Sequence, residues 1–244
     1  HRDLHSFPTR RSSDLVRLPN LSICYEPLPL PAPLPPTALP GVVEGDITFL
    51  CCQNLMKYLP QYDDLFPAIA AQVPTAKFIF LKFSQAQLDC FKGRLEAAFA
   101  RFGLSAADHL IFYPLLNSLT YAVLNAEVDI YLDSIGWSGG NTTFESLPFN
   151  KPIVTMPGPF MRGRHTAAIL TLMGVQEMIA LDTDDYVRIA VRLARDLEWR
   201  KMVSQKIADN KYKVYGDLAP VRALERFMEQ AVRAATAIHC LRTA

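Results

Sequence analysis

The chain has 244 residues, half of them apolar, and its formal net charge at pH 7 is +1. A charge this close to neutral argues against a nucleic-acid-binding role and against a polybasic membrane-binding surface. No apolar run approaches the roughly 20 residues that a helix needs to span a bilayer. We therefore expect neither nucleic acid nor a membrane as a partner.

The five cysteines are odd in number, show no CxxC spacing and include the adjacent pair Cys51 and Cys52, which is poorly suited to bridging. The sequence also shows no secretory signal peptide. Both observations favour a protein from a reducing compartment. We expect the protein to be cytoplasmic.

Residues 5–15, HSFPTRRSSDL, resemble one reading frame of a common sequencing-adapter oligonucleotide. The alternatives are a basic, Ser-rich disordered tail or a targeting peptide, although the stretch lacks the amphipathic periodicity of a transit peptide. We expect residues 1–15 to be non-native and the gene to be truncated upstream. A partner domain would then be missing.

Residues 16–45 form a lead-in to the folded domain and contain the segment PLPLPAPLPPTALP. This segment is too rich in proline for a helix or a sheet and predicts extended polyproline II. A ligand for an SH3-type domain is the alternative, but we favour a semi-rigid linker between two domains. The folded domain itself is predicted over residues 46–244, a length that can bury a substantial core.

From residue 46 onward, apolar runs alternate with helical patterns. The predicted strands are 47–52, 77–81, 110–112, 130–132 and 153–155. The predicted helices lie within 53–74 and at 84–102, 118–127, from 142, 164–173, 183–196, 198–212 and 219–235. This alternation predicts an α/β fold with a doubly wound, parallel, Rossmann-like sheet and right-handed crossovers, followed by a helical C-terminus.

The stretch SGGNTTFESL follows the fourth predicted strand, at the edge where open α/β sheets bind ligands. Gly139 and Gly140 carry no Cβ and tolerate positive φ, so the backbone there can approach a ligand closely. Three polar residues follow at the start of a helix, where an anion is favoured: Asn141, Thr142 and Thr143. The stretch predicts a phosphate site, against the alternative of a plain turn with a helix cap. It is not a dinucleotide fingerprint, because no GxGxxG follows the first strand.

SGGNTTFESL, followed by KPIVTMPGPFMRGRHTAAIL, resembles the donor-binding half of the peptide O-glycosyltransferases of glycosyltransferase family 41. This family includes the O-GlcNAc transferases, bacterial ones among them, and the SPINDLY-type enzymes. The resemblance runs from about residue 46 to about residue 230. It implies a GT-B fold, in which the nucleotide sugar lies between two Rossmann-like lobes, and this chain would hold the second lobe.

The resemblance also implies roles for individual residues. Lys57, in QNLMK after the first strand, matches the family's lysine that contacts the donor diphosphate, together with Gly140 and the three polar residues that follow it. Asn54 falls where relatives carry a polar residue that faces the nucleotide. Glu145 matches an acidic position that binds the ribose hydroxyls, although Thr142-x-x-Glu145 is also a capping box.

The chain departs from the family pattern where the family contacts the base of the donor. Tyr121 stands where the metazoan transferases carry a histidine that contacts the donor, so recognition of the base is not carried over. Tyr121 either stacks on the base or sugar or is a plain core aromatic. Arg162 and Arg164 flank His165, and neighbouring positive charge disfavours the imidazolium that a general base must become. We expect Arg164 and His165 to contact the diphosphate or to support the loop.

The resemblance implies a protein O-glycosyltransferase that transfers a sugar, GlcNAc from UDP-GlcNAc foremost, to Ser or Thr. The missing lobe and tetratricopeptide repeats would bind the acceptor protein, and the catalytic residues are expected on that lobe, so this chain alone would be inactive. The alternatives are a non-catalytic nucleotide-sugar-binding module and a GDP-sugar (O-fucosyl) transferase. No Cys, His or Asp cluster has metal-ligand spacing, so we expect no metal and no other cofactor.

Overall fold

The computed structural model of the chain describes residues 16–27, 29, 34 and 37–243. The segment predicted to be non-native, 1–15, lies outside these residues, as do several prolines of the predicted linker. Glu26–Tyr215 form one compact unit, and the described parts of His1–Tyr25 and Gly216–Ala244 form another. Within the latter, the amide of Gly216 donates to the carbonyl of Tyr25 at 2.9 Å.

The strands are β1 (Ile47–Cys51), β2 (Ala76–Lys82), β3 (Leu110–Pro114), β4 (Ile130–Leu132) and β5 (Ile153–Val154). The α-helices are α1 (Leu65–Ala70), α2 (Gln85–Arg101), α3 (Ser118–Glu127), α4 (Asn141–Ser146), α5 (His165–Met173), α6 (Thr183–Arg195), α7 (Leu197–Asn210) and α8 (Ala219–Thr243). A 3₁₀ turn, Leu55–Lys57, follows β1 and another, Leu147–Phe149, follows α4. The predicted order of strands and helices is confirmed.

All five strands pair in parallel, in the order β3-β2-β1-β4-β5. The chain first winds outward through β2 and β3, then crosses back to place β4 on the free side of β1. The order reverses between β1 and β4, and open α/β sheets bind their ligands at the carboxyl ends of the strands at such a switch point. The predicted doubly wound α/β sheet is therefore confirmed, and the switch point is the loop after β1 facing the loop after β4.

The core that holds this edge in place is built from fully buried aromatic side chains. The rings of Phe49 on β1 and Phe78 on β2 stack with their centroids 5.3 Å apart. Phe80, Phe91 and Phe99 pack around them, and each of these five rings is at most 2 % exposed. Because a buried aromatic removes roughly 150–250 Å² from water, this cluster gives the sheet a rigid centre from which the loops project.

The hydrogen bonds of Asp129 join β1 and β4 near their amino ends. Its Oδ2 accepts from the amide and from the hydroxyl of Thr48, both at 2.9 Å. Asp129 Oδ1 lies 3.5 Å from a guanidinium nitrogen of Arg200. These contacts fix the two strands whose carboxyl ends form the switch point. Among the described residues, no helix has the length and hydropathy needed to cross a membrane.

Candidate functional site

The loops after β1 and β4 meet through a chain of three side chains. The Lys57 ammonium donates to Gln53 Oε1 at 2.8 Å. The amide nitrogen of Gln53 in turn donates to the hydroxyl of Thr142, at the start of α4. Gln53 is only 3 % exposed, so its amide is a fixed link. The structure thus brings the predicted lysine and the predicted phosphate turn to the same place.

Below this chain lies a buried polar cluster that holds the Gly-rich turn from inside. Its members, each at most 4 % exposed, are Asp133, Ser138, Thr143, Thr155 and Thr166. One carboxylate oxygen of Asp133 accepts from the Gly139 amide at 2.7 Å. The other accepts from the Ser138 hydroxyl at 2.6 Å and from the Thr155 hydroxyl at 2.7 Å. Burial raises the pKa of Asp133, and these three hydrogen bonds oppose the shift.

The two glycines of the turn, Gly139 and Gly140, differ in the space around their Cα atoms. A Cβ on Gly139 would lie 2.7 Å from Thr142 Oγ1 and 2.8 Å from Gln53 Nε2, whereas a Cβ on Gly140 would meet nothing within 4 Å. Neither residue has positive φ, and the glycine of this loop that lies in the left-handed region is Gly136, at φ +86°. Gly139 is therefore required by the packing inside the turn, while Gly140 leaves open space at its surface.

The polar residues after Gly140 point in two directions. Asn141 is exposed and Thr142 is half-buried, and their amides are the first two of α4, which have no acceptor within the helix. Thr143 turns inward, where its hydroxyl lies 2.8 Å from that of Thr166 and donates to the carbonyl of Gly139 at 3.2 Å. A role of Asn141, Thr142 and Thr143 toward a diphosphate stays a prediction, and for Thr143 the structure shows a hydroxyl already engaged in the cluster.

Glu145 lies on the next turn of α4 and is half-buried. The capping-box interpretation is wrong, because the N-cap is Gly140 and no side chain caps the helix. Within the described part of the chain, the Glu145 carboxylate makes no hydrogen bond and no ion pair. Burial alone raises its pKa. Because the side chain is only half-buried and lines a cavity, its carboxylate is available to a ligand.

Glu145 opens onto a cavity of about 430 Å³ between α3 and α4. Tyr121 lines the same cavity, and its hydroxyl lies 3.2 Å from that of Tyr131. Tyr121 therefore presents a ring to the cavity while its hydroxyl is bonded inside, and stacking of that ring on a base or a sugar stays a prediction. Asn125, also on the cavity wall, donates to the carbonyl of Tyr121 at 2.7 Å, and its Oδ1 is buried with no hydrogen-bond partner in the described structure.

Cationic and aromatic side chains form the rim of the site. Within the described ranges, Lys57, Arg162 and Arg164 take part in no ion pair. The Lys57 ammonium lies 5.8 Å from the centroid of the Trp137 ring, and the Arg162 guanidinium carbon lies 5.5 Å from the same centroid. Unpaired positive charge at the switch point of the sheet suits an anionic ligand.

The remaining predicted site residues lie at the starts of short elements. The side-chain Oδ1 of Asn54 accepts from the Met56 amide at 3.0 Å and caps the 3₁₀ turn that carries Lys57. Arg164 is exposed and immediately precedes α5, of which His165 is the first residue. Their roles toward a nucleotide stay predictions. Among the described residues, no group of His, Cys, Asp or Glu is arranged to hold a metal ion.

The sequence did not identify Gln53, Asp133, Trp137 or Arg162 as residues of the site. Gln53 and Asp133 stand within two residues of the ends of β1 and β4. This placement, at the carboxyl ends of the two strands that flank the switch point, is a signal that would have found them. For Trp137 and Arg162 the signal is weaker, because each is one large side chain in a loop rich in glycine.

Comparisons with known proteins show the family to which the chain belongs. The model of glycosyl transferase family 41 matches residues 37–221. Among curated relatives, the protein named probable UDP-N-acetylglucosamine–peptide N-acetylglucosaminyltransferase SPINDLY of Arabidopsis thaliana is 29 % identical over 188 residues, which are 77 % of this chain and 20 % of that protein. Its namesake in Oryza sativa is 31 % identical over 186 residues, 75 % of this chain and 20 % of the relative. The chain thus spans about a fifth of these relatives.

Solved structures support the same assignment. A mutant of the Thermobaculum terrenum O-GlcNAc transferase superposes with a TM-score of 0.68 at 25 % identity, covering 94 % of this chain and 42 % of that one. A trehalose 6-phosphate synthase of Burkholderia multivorans, with a TM-score of 0.56 at 11 % identity over 79 % of this chain and 44 % of that one, shows a likeness of fold alone. The predicted lobe of GT-B type is confirmed, and the chain belongs to glycosyl transferase family 41.

Proposed function

We propose that this chain binds the nucleotide-sugar donor of a protein O-glycosyltransferase, with UDP-N-acetylglucosamine as the donor and a Ser or Thr hydroxyl as the acceptor. The hydrogen-bond chain from Lys57 through Gln53 to Thr142 carries the proposal, because it joins the two loops of the switch point in a member of family 41. The names of the SPINDLY relatives, which specify peptide N-acetylglucosaminyl transfer, support the choice of sugar and acceptor.

In this proposal the diphosphate lies at the rim between the two loops. Lys57 supplies positive charge, the Thr142 hydroxyl and the first amides of α4 supply hydrogen-bond donors, and the open space at Gly140 admits the phosphate oxygens. Arg162 adds a second unpaired cation. When the acceptor oxygen attacks the anomeric carbon, the bond to the β-phosphate oxygen breaks and its electron pair stays on the diphosphate. Fixed cations and amide donors stabilise that developing charge.

The nucleoside occupies the cavity between α3 and α4. The Glu145 carboxylate accepts the two ribose hydroxyls, which gives its unpaired oxygens the donors that the described chain does not supply. The base lies beyond the ribose against Tyr121 and Asn125. The acceptor protein is bound, and its hydroxyl activated, by the rest of the enzyme, which includes a second lobe and tetratricopeptide repeats.

A ligand panel tests the proposal on the whole 244-residue chain. Thermal shift and calorimetry are run with UDP, UDP-GlcNAc, GDP and GDP-fucose. At a hundredfold excess over Kd, a bound ligand stabilises the chain by about 2.7 kcal/mol, so we expect a clear rise in melting temperature with the UDP pair. A rise in melting temperature with GDP and GDP-fucose alone would contradict the base and the sugar assigned here. No response to any nucleotide would overturn the proposal.

The substitution Lys57→Ala tests the contact that carries the proposal. We expect UDP affinity to fall by roughly 1.5–3 kcal/mol, the contribution of a hydrogen bond to a charged group, and the loss to shrink as salt rises. Uridine binding is unchanged, because uridine has no phosphate. Lys92→Ala is the matched control, since Lys92 is an exposed lysine of α2 that pairs with Glu96 on the same helix. An equal loss for uridine and UDP would show that Lys57 acts through structure.

A further inference from the structure

Trp137 is a large aromatic side chain left half exposed, at 50 %, in the loop that follows β4. Its main chain is nonetheless held on both sides. The Ser134 hydroxyl donates to the Trp137 carbonyl at 2.7 Å, and the Ser138 amide donates to the Arg162 carbonyl at 2.8 Å. The indole therefore stands on a fixed backbone while half its surface faces solvent.

Glycines allow the loop after β4 to pack closely against the loop after β5. A Cβ on Gly163 would lie 3.2 Å from the carbonyl oxygen of Gly136, and a Cβ on Gly158 would lie 3.7 Å from the Gly136 Cα. The loop after β4 and the loop after β5 thus pack backbone against backbone at these glycines. An exposed aromatic ring on a closely packed loop at a ligand-binding edge suits contact with a ligand. Covering the ring removes a large apolar area from water.

We propose that the donor's sugar ring packs against the Trp137 indole, so that Trp137 distinguishes a nucleotide sugar from the free nucleotide. This inference rests on the proposed function. The Lys57 ammonium, assigned to the diphosphate, lies 5.8 Å from the indole centroid. Because the sugar is bonded directly to the β-phosphate, its ring must lie beside that cation. The weakly positive C–H groups of a pyranose face complement the negative π face of an indole.

A different role for Trp137 makes a different prediction. Lys57 and Arg162 both lie within cation–π distance of the ring, so the indole could serve only to hold these two cations in place. In that case its loss would weaken every ligand that carries the diphosphate, with or without a sugar. A contact with the sugar instead weakens only the sugar-bearing ligand. The pair UDP and UDP-GlcNAc separates the two roles.

The test measures both ligands by calorimetry on the whole chain. Trp137→Ala is expected to lower UDP-GlcNAc affinity about fivefold and leave UDP within about twofold, since an aromatic contact contributes on the order of 1 kcal/mol and about 1.4 kcal/mol is tenfold. Trp137→Phe, which keeps a ring, recovers most of the loss. Phe160→Ala is the matched control, because Phe160 is also an exposed aromatic in contact with Arg162, and it should leave both affinities unchanged.

Fluorescence gives a second measurement that does not depend on how well the alanine variant folds. The chain has two tryptophans, and in Trp199→Phe the remaining indole is Trp137. UDP-GlcNAc should change its emission more than UDP does at equal occupancy. Equal losses for UDP and UDP-GlcNAc in Trp137→Ala, or no loss for either, would overturn the inference while UDP binding by the parent chain still upheld the proposed function. Failure of the parent chain to bind either ligand would instead count against the proposed function.

Discussion

Asp133 and Glu145 are two carboxylates at the same edge of the sheet, and the chain treats them in opposite ways. Burial raises the pKa of both. Asp133 accepts three short hydrogen bonds from within the chain, whereas in the described structure Glu145 accepts none. Buried polar groups in folded proteins are nearly always satisfied. The buried carboxylate, bonded within the chain, therefore builds the site, and the half-exposed one is open to what the site binds.

The same contrast separates the buried polar cluster from the rim above it. Every hydroxyl of the cluster has a partner inside the chain, while the Lys57 ammonium donates to the neutral side-chain amide of Gln53. A cation bonded to a neutral amide keeps its full charge for an incoming anion, which an ion pair would have cancelled. The comparison thus predicts which substitutions damage folding and which damage binding.

The largest effect is expected from Asp133→Asn, on the satisfied side of the comparison. The asparagine cannot accept from the Gly139 amide and from both hydroxyls in the same geometry, so at least one buried donor is left unpaired. Each such donor costs about 1–3 kcal/mol, and we expect the free energy of unfolding to fall by about 2–4 kcal/mol in urea titrations. Asp64→Asn, in an exposed pair with Arg101, is the control and should change little. A loss no larger than the control's would show that Asp133 does not hold the turn.

The next effect is expected from Glu145→Gln, which should weaken UDP binding by roughly 1.5–3 kcal/mol, because charge-assisted hydrogen bonds to the ribose are lost. The unliganded variant should be more stable at neutral pH. Burial places the folded-state pKa of Glu145 above its unfolded value, so the ionised carboxylate opposes folding, and stability falls as pH rises through that raised pKa. Glutamine carries no charge and removes this cost.

Two measurements check the Glu145 prediction from separate sides. Melting curves across the acidic range should show that the stability gain of Glu145→Gln disappears as the parent's carboxyl becomes protonated. A 2′,3′-dideoxy analogue of UDP should bind the parent and the variant equally, because it lacks the hydroxyls that the carboxylate accepts. If the variant lost affinity for this analogue as well, the ribose assignment would be wrong.

The smallest effects are expected from substitutions of Gly139 and Gly140. They separate an effect on folding from an effect on binding within one turn. Gly139→Ala places a methyl group 2.7–2.8 Å from three side-chain atoms, so we expect about 1–2 kcal/mol of lost stability from overpacking. Gly140→Ala meets nothing and should leave stability within about 0.5 kcal/mol, yet lower UDP affinity by filling space at the surface of the turn. Denaturation and calorimetry on the pair decide this, and a Gly140→Ala variant with unchanged UDP affinity would contradict a phosphate at that surface.

Much of this arrangement was predictable from the sequence because it depends on local pattern. The alternation of apolar runs and helical periodicity predicted the parallel sheet, and α3 and β4 lie at the predicted residues. The position of Lys57 shortly after β1 and of the Gly-rich turn after β4 was enough to place both at the carboxyl edge. That the two loops then touch follows from right-handed crossovers and a sheet whose order reverses beside β1.

What escaped prediction depends on contacts between residues far apart in the chain. Gln53 and Thr142 are separated by 89 positions, and no local pattern marks one as the partner of the other. The capping box failed for a related reason. The Thr142 hydroxyl accepts a hydrogen bond from the Gln53 side-chain amide and does not cap α4. The N-cap residue is Gly140 instead. Tertiary partners overrode a local preference there.

The sheet order has a consequence for when this site comes into being during folding. β1, β2 and β3 are neighbours in sequence and in space, so the first half of the domain can form its pairings soon after it is synthesised. β4 must return to β1 across 81 residues, as the Phe49–Ile130 pairing shows, and contacts that close long loops form slowly. Until that closure, Lys57 and Thr142 belong to separate pieces of chain. Nascent or partly unfolded molecules therefore carry no donor site, and ligand binding reports on completion of the fold.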